Sequence, residues 1–245
     1  MGVMAQETEA AADVRKVACG ACTLAQLCLP VGIDEAGLTL LDHAIRRHRP
    51  IRRRSLLFQA GQPFRSLYAV RSGSVKTFLP AADGGERITG FRLPGELLGL
   101  DAIHSGRHPC AARALESTSV CELPFERFES LCGDVPTLLR RMLRIMSQEI
   151  LQEEGLLAQI SNRSGEQRLV AFLLNLSARF RRRGFSAREF NLSMSRADIG
   201  NYLGLAKETV SRLFARLQAE GLIQVAGRQV RLLDELGLHR RLAGD

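Results

Sequence analysis

The chain has 245 residues, 45% hydrophobic and 24% charged, which is ordinary for a globular protein, and a formal net charge of +8. No run of 18 apolar residues occurs, so no membrane-spanning helix is expected. The polar, acidic start MGVMAQETEAAADVRKVA lacks the apolar core of a signal peptide. A cytoplasmic location is therefore expected, where clustered thiols are more often ligands than disulfides.

Residues 1–18 read as disordered. Cys19, Cys22 and Cys28 follow with the spacing C-x2-C-x5-C, and Cys121 comes after 92 intervening residues. Thiolates crowded this way usually hold a metal ion or an iron–sulfur cluster. On the residues alone three readings stay open: a cluster, a structural four-cysteine zinc site, and a metal-free thiol–disulfide switch. Zinc sites usually show two close C-x2-C-type pairs, whereas here one half is a lone distant cysteine. Spacing also leaves the fourth ligand open, because Cys110 and Cys132 lie 11 residues either side of Cys121. A buried, inert thiol is the default reading for those two.

Ile33 to Ile45 reads as a short helix, with Asp34 and Glu35 in its first turn, where carboxylates oppose the helix dipole. Residues 50–130 read as β-structure. Short apolar runs at 56–58, 67–70, 75–79, 88–91 and 120–123 are separated by turn signals at 60–63, 72–73, 83–85 and 94–95. Such regular spacing predicts a sandwich or roll rather than a parallel sheet.

From 136 to 160 the period becomes helical. Leu139, Leu143, Met146, Ile150, Glu153, Leu157 and Ile160 are spaced 4, 3, 4, 3, 4, 3 and form an a/d seam. A helix pairing with a second copy is expected; the competing reading is a helix packed on its own domain. Glu153 is the seam's polar member. Facing its own copy it repels, so the pairing is expected to be marginal, and Glu153→Ala is expected to give a dimer that needs no signal.

Leu169, Phe172, Leu173, Leu176 and Phe180 share one face of a further helix over 164–180, ended by Arg181-Arg182-Arg183-Gly184. Ser195 with Asp198 offers a cap for the next helix. Ile199-Gly200, Leu203-Gly204-Leu205, Val210 and Leu213 make a full helix-turn-helix pattern, with Gly200 for close approach and Gly204 for the turn. Residues 221–225 and 229–232 read as a β-hairpin wing. On the second helix Glu208, Thr209, Ser211, Arg212 and Arg216 face outward, types that read base edges or phosphate. The bland alternative is a Glu208–Arg212 surface ion pair. Charge agrees with a nucleic-acid partner: residues 1–160 carry 19 Lys+Arg against 18 Asp+Glu, and 161–245 carry 15 against 8.

No enzyme is expected. His43, His48, His104, His108 and His239 form no Cys/His/Asp motif, and no G-x-S-x-G, P-loop or H-E-x-x-H pattern occurs. His104 and His108 are four apart, but Ser105-Gly106 and Pro109 argue for a loop bearing two surface histidines.

The cysteine spacing, Ser66-Leu67-Tyr68-Ala69-Val70-Arg71-Ser72-Gly73, Ile88-Thr89-Gly90-Phe91 and Asp198-Ile199-Gly200-Asn201-Tyr202-Leu203-Gly204-Leu205 running on to Glu208-Thr209-Val210-Ser211-Arg212 carry a resemblance. Over residues 19–235 the chain resembles the oxygen-sensing fumarate and nitrate reduction regulators (FNR) of the cyclic AMP receptor protein superfamily. The resemblance implies an α+β fold: a segment 1–30 with the cysteines, a cyclic-nucleotide-binding-like β-roll over 31–133, a dimerisation helix over 134–160 and a winged helix-turn-helix over 161–245. It implies a [4Fe–4S] cluster on Cys19, Cys22, Cys28 and Cys121, whose conversion by oxygen separates a homodimer and releases DNA. Cys121 is favoured because Val120-Cys121-Glu122-Leu123-Pro124-Phe125 matches the family stretch. Glu208, Ser211 and Arg212 fall where the family reads a TTGAT-type half-site, and Glu153 where it carries an acidic seam residue. Loops around 83–85 and 185–186 are implied contacts with RNA polymerase. Nucleotide-binding members need an Arg-Ser pair where this chain has Cys110-Ala111-Ala112, so no cyclic nucleotide is expected as effector.

Overall fold

The structure, a computed structural model, describes residues 17–81, 84–161 and 163–244, without side chains at 152, 153 and 155–161. The side chains of the seam positions Glu153, Leu157 and Ile160, the expected disorder before Val17 and the loop position Asp83 lie outside the described residues. Two compact units emerge: Met1–Pro80 with Phe91–Ser147, and Ala81–Gly90 with Gln148–Asp245.

The first unit opens with a tight 3-10 turn at Cys19–Ala21, then helix α1 (Glu35–Ala44), whose N-cap Asp34 accepts from the Gly37 N–H at 2.9 Å. Asp34 therefore stands just outside the helix rather than within its first turn. Eight strands follow along the chain: β1 (Arg46–Arg47), β2 (Leu56–Phe58), β3 (Ser66–Ser72), β4 (Val75–Pro80), β5 (Glu86–Arg92), β6 (Leu97–Leu98), β7 (Ala111–Ala114) and β8 (Ser119–Pro124), of which β5 falls mostly in the second unit. Those of the first unit form two sheets, ordered β1-β8-β3-β6 and β2-β7-β4. The five predicted apolar runs fall on β2, β3, β4, β5 and β8. The two-residue strands β1 and β6, and β7 with its alanines, carry too little pattern to be read.

Alternation along β3 sorts side chains between two cores. Val70 joins Phe58, Val75, Leu98, Cys110 and Ala112 in one cluster. Leu67 and Ala69 face the other, with Leu97, Leu123 and the helices. Two of those helices are α2 (Phe125–Asp134) and α3 (Pro136–Ser161). Helix α2 begins where β-structure is expected to continue to residue 130. Its buried Phe128 and Leu131 pack into the second core, a spacing too short for periodicity to announce.

Helix α3 is amphipathic twice over. Leu138, Met142 and Ile145 are buried in the unit's own core, while Leu139 (45% exposed), Leu143 (57%) and Ile150 (55%) stand outward. One face of the helix therefore packs on the core of the first unit, and a second face stands exposed. Met146, partly buried, packs against the core.

In the second unit α4 (Gly165–Arg182) starts at a capping box formed by Ser164 and Gln167. Strand β9 (Glu189–Asn191) precedes α5 (Arg196–Leu203) and α6 (Lys207–Ala219), and β10 (Ile223–Ala226) pairs with β11 (Gln229–Leu232). The wing is a three-stranded sheet ordered β10-β11-β9, not the bare hairpin expected. Helix α7 (Glu235–Ala243) completes the unit and was not anticipated.

Candidate functional site

The four predicted ligands meet in the first unit. Cys19, Cys22, Cys28 and Cys121 line one cavity, walled by Leu24, Leu29, Ile45, Leu67, Leu97 and Leu123 with Arg71 at its margin. Local hydrogen bonding explains how the near three converge. Successive turns run Cys22 N–H to Cys19 O (3.3 Å), Ala25 N–H to Cys22 O (2.9 Å) and Cys28 N–H to Leu24 O (3.1 Å), coiling the segment on itself. Cys121 arrives on β8, paired with Ala69 of β3 and Arg47 of β1. Directly paired residues share a sheet face, so Arg47 and Cys121 lie side by side and small Ala69 leaves room before them.

Cys121 is the hub of the set: its thiol lies within electrostatic reach of Cys19, Cys22 and Cys28. The other two thiols are elsewhere. Cys110 is buried and its Sγ–H donates to Asp101 Oδ2 at 3.2 Å, and Cys132 neighbours Glu129. Spacing had left this choice open. All six cysteines are free thiols. Among the described residues no group of three or more His, Cys, Asp or Glu is arranged to hold a single metal ion.

Burial sets the electrostatics. It pushes the Cys19 and Cys28 thiols up to about 12, with Asp42 adding to the effect at Cys19, and raises Cys121 despite Arg47 and Arg71. Such thiols are protonated until an electrophilic metal displaces the proton. Arg47 and Asp42 brace the first of them. The Cys19 N–H donates to Asp42 Oδ1 at 2.8 Å, Arg47 pairs with the same carboxylate, and Arg47 Nη2 donates to Cys19 Sγ at 3.8 Å. Burial opposes the Asp42 charge, but the Cys19 N–H and Arg47 prevail and hold its carboxyl below the usual range. The Arg47 Nε is buried and has no hydrogen-bond partner among the described residues. Neither Arg47 nor Asp42 carries a signal in the sequence: Arg47 is marked by its register opposite Cys121, which needs the sheet, and Asp42 by its bond to the Cys19 N–H.

Four thiols in an apolar pocket, a guanidinium against one of them and an unsatisfied Arg N–H fit a cluster whose four thiolate ligands carry negative charge. A single tetrahedral zinc needs all four sulfurs at about 2.3 Å from one point.

In the second unit the helix-turn-helix is tightly made. Ser195 and Asp198 close a capping box at α5, and Gly204 ends the helix at φ +67°. At Gly200 an added Cβ would stand 2.5 Å from the Leu205 carbonyl oxygen, so no other residue fits without moving the turn. Val210, Phe214 and Leu217 are buried on the inner side of α6. Glu208, Ser211 and Arg212 are exposed on the outer side, and Thr209 is half-buried. No ion pair joins Glu208 to Arg212 among the described residues, whose ion pairs lie elsewhere. Arg216 contacts Glu166 at 3.1 Å and Glu220 at 3.0 Å, and Arg241 bonds the same two carboxylates, tying α4, α6 and α7 together. Arg181 pairs with Glu235 at 3.2 Å. His104 and His108 lie on a loop, as expected, but His108 is only 3% exposed and stacks on Phe58 at 3.8 Å, so it is a core residue and not a surface one.

A β-roll followed by a long helix and a winged helix-turn-helix defines a class: a DNA-binding transcription regulator, not an enzyme. Comparison with known proteins narrows it. Residues 48–134 match the cyclic nucleotide-binding domain and residues 167–241 the Crp-like helix-turn-helix domain. The chain is 49% identical over 220 residues to the transcriptional activator protein anr of Pseudomonas aeruginosa, covering 90% of each. It is 48% identical over 212 residues to the fumarate and nitrate reduction regulatory protein of Escherichia coli, covering 86% of this chain and 85% of that one. Among solved structures FixK2 from Bradyrhizobium japonicum superposes with a TM-score of 0.73 at 30% identity, over 80% of this chain and 96% of that one. The chain belongs to the CRP/FNR family and is a regulator of the FNR type. Among the described residues no helix is long and apolar enough to cross a membrane.

Proposed function

We propose that Cys19, Cys22, Cys28 and Cys121 hold a [4Fe–4S] cluster and that this chain is an anaerobic transcription activator. The observation that carries the reading is the position of Cys121, remote in sequence yet within reach of all three N-terminal thiols at one apolar cavity. The names of the relatives support it, being those of an activator and of a fumarate and nitrate reduction regulator. When bound, the cluster supplies a centre that oxygen breaks down.

The chain's own residues do the rest. Cys121 ties the 19–28 segment to strand β8, so release of the thiols frees that segment from the sheet. Segment 1–30 and the β-roll, 31–133, act as the sensor, 134–160 as the pairing helix and 161–245 as the reader. Leu139, Leu143 and Ile150, exposed in the single chain, form a seam with a second copy, in which Met146, Glu153, Leu157 and Ile160 continue the heptads. Paired readers present Glu208, Ser211 and Arg212 to the major groove of a TTGAT-N4-ATCAA site, with Thr209 and Arg216 beside them. Loops at 83–85 and 185–186 contact RNA polymerase. No cyclic nucleotide serves as effector: Cys110, Ala111 and Ala112 are buried where an Arg-Ser pair would be needed, and Cys110 and Ala112 pack with Phe58, Val70 and Leu98.

Purification in a glove box tests the reading. Brown protein with iron and sulfide, which shifts the TTGAT-N4-ATCAA duplex anaerobically and releases it in air, is the expected result. Colourless protein holding zinc, or equal grip with and without air, overturns it.

A further inference from the structure

Helix α3 reaches back to the cysteine segment through one side chain. Arg141 Nε donates to the Cys28 carbonyl oxygen at 3.0 Å, and its Nη2 donates to the Leu27 carbonyl oxygen at 2.9 Å. A guanidinium fork meets two adjacent carbonyls in one fixed geometry, which a lysine cannot reproduce. The residues around it differ in direction. Leu138, Met142 and Ile145 sink into the unit's core, whereas Leu139 and Leu143 stand outward on the pairing face. Arg141 lies between them, half-buried, one position from Met142 and two from Leu143.

We propose that Arg141 is a positioning residue that fastens the cysteine segment to α3, and so carries the state of the thiol site to the pairing face. This rests on the cluster reading above. With the segment in place, its two carbonyls occupy the guanidinium. When the segment leaves, Arg141 loses both acceptors and swings into solvent beside the exposed Arg140 and Arg144. The stretch of α3 that carries Leu139 and Leu143 then loses the tie that holds it against the cysteine segment. Thiol-site integrity and helix pairing thereby share one contact, outside the sulfurs themselves.

The test measures the dimer dissociation constant by sedimentation equilibrium, with the cluster intact and after its removal by chelator, in wild type, Arg141→Gln, Arg141→Lys and Arg140→Gln. Arg141→Gln should weaken the loaded dimer roughly tenfold, the effect of losing charge-assisted hydrogen bonds, and leave the stripped protein within about twofold. Arg141→Lys should fall between, and Arg140→Gln should shift both states alike. Equal shifts of both states by Arg141→Gln, or no shift in either, overturn the proposal. A folded Arg141→Gln chain that takes up less iron and sulfide than wild type supports the fastening, because Arg141 supplies no sulfur. Should that variant fail to fold, Arg141→Lys carries the comparison. Wild type that takes up no iron and sulfide refutes the cluster instead. Amide exchange at residues 27–29 then decides the fastening alone: faster in Arg141→Gln supports it, and unchanged exchange overturns it.

Discussion

The DNA-reading helix and the thiol cavity are built in opposite ways. The helix-turn-helix occupies one continuous stretch, 195–219, and its parts are neighbours in the chain: a capping box, a glycine under a carbonyl, a buried stripe and an exposed one. The cavity draws on the turns at 19–28, the α1–β1 pair Asp42 and Arg47, strand β3 and strand β8. A site made of local contacts survives while its helix survives. One gathered from remote segments opens when a single tie fails, because closing each long loop costs entropy that only the shared centre offsets. That contrast suits the proposed reading, in which the sensing part comes apart while the reading part stays folded.

Substitutions can break or sharpen the comparison, beginning with the largest effect. Cys121→Ser should abolish iron binding and anaerobic operator shift, whereas Cys110→Ser and Cys132→Ser should retain both; iron analysis with gel shift separates them. Loss of iron in all three would erase the distinction between cavity thiols and isolated ones. Arg47→Gln removes the donor to Cys19 Sγ and the neighbour of Cys121, and should shorten cluster lifetime in air by roughly tenfold, followed by visible absorbance. On the reading side, Gly200→Ala forces a Cβ against the Leu205 carbonyl and should cost about 2 kcal/mol of stability, seen as an earlier melt of the second unit by calorimetry. Arg212→Ala should cost about 1–3 kcal/mol and relax preference at one base pair, measured with substituted half-sites. Smallest of all, Arg216→Ala should weaken every duplex alike without changing base preference, because its guanidinium is held by Glu166 and Glu220.

Legibility followed the same divide. Ser195, Asp198, Gly200, Gly204 and Val210 were readable because helix caps, close approach and turn geometry are set by residues within a few positions of one another. The C-x2-C-x5-C run was readable for that reason too. Helix α2 and strands β1, β6, β7 and β9 were not, since each is too short or too uniform to show a period. His108 looked like a surface histidine in a polar loop, and only its stack on Phe58 reveals a core residue.

By itself the sequence determined the reading helix, the chemistry of the sulfur donors and the apolar period of the long helix, all properties of short-range spacing. Tertiary structure alone places Cys121, and not Cys110 or Cys132, at the cavity of the N-terminal thiols, sets Arg47 against Cys19 and sets Arg141 against the Cys28 carbonyl. Those choices depend on strand register and helix placement, where residues 47 and 121, or 28 and 141, become neighbours through the sheet and not through the chain.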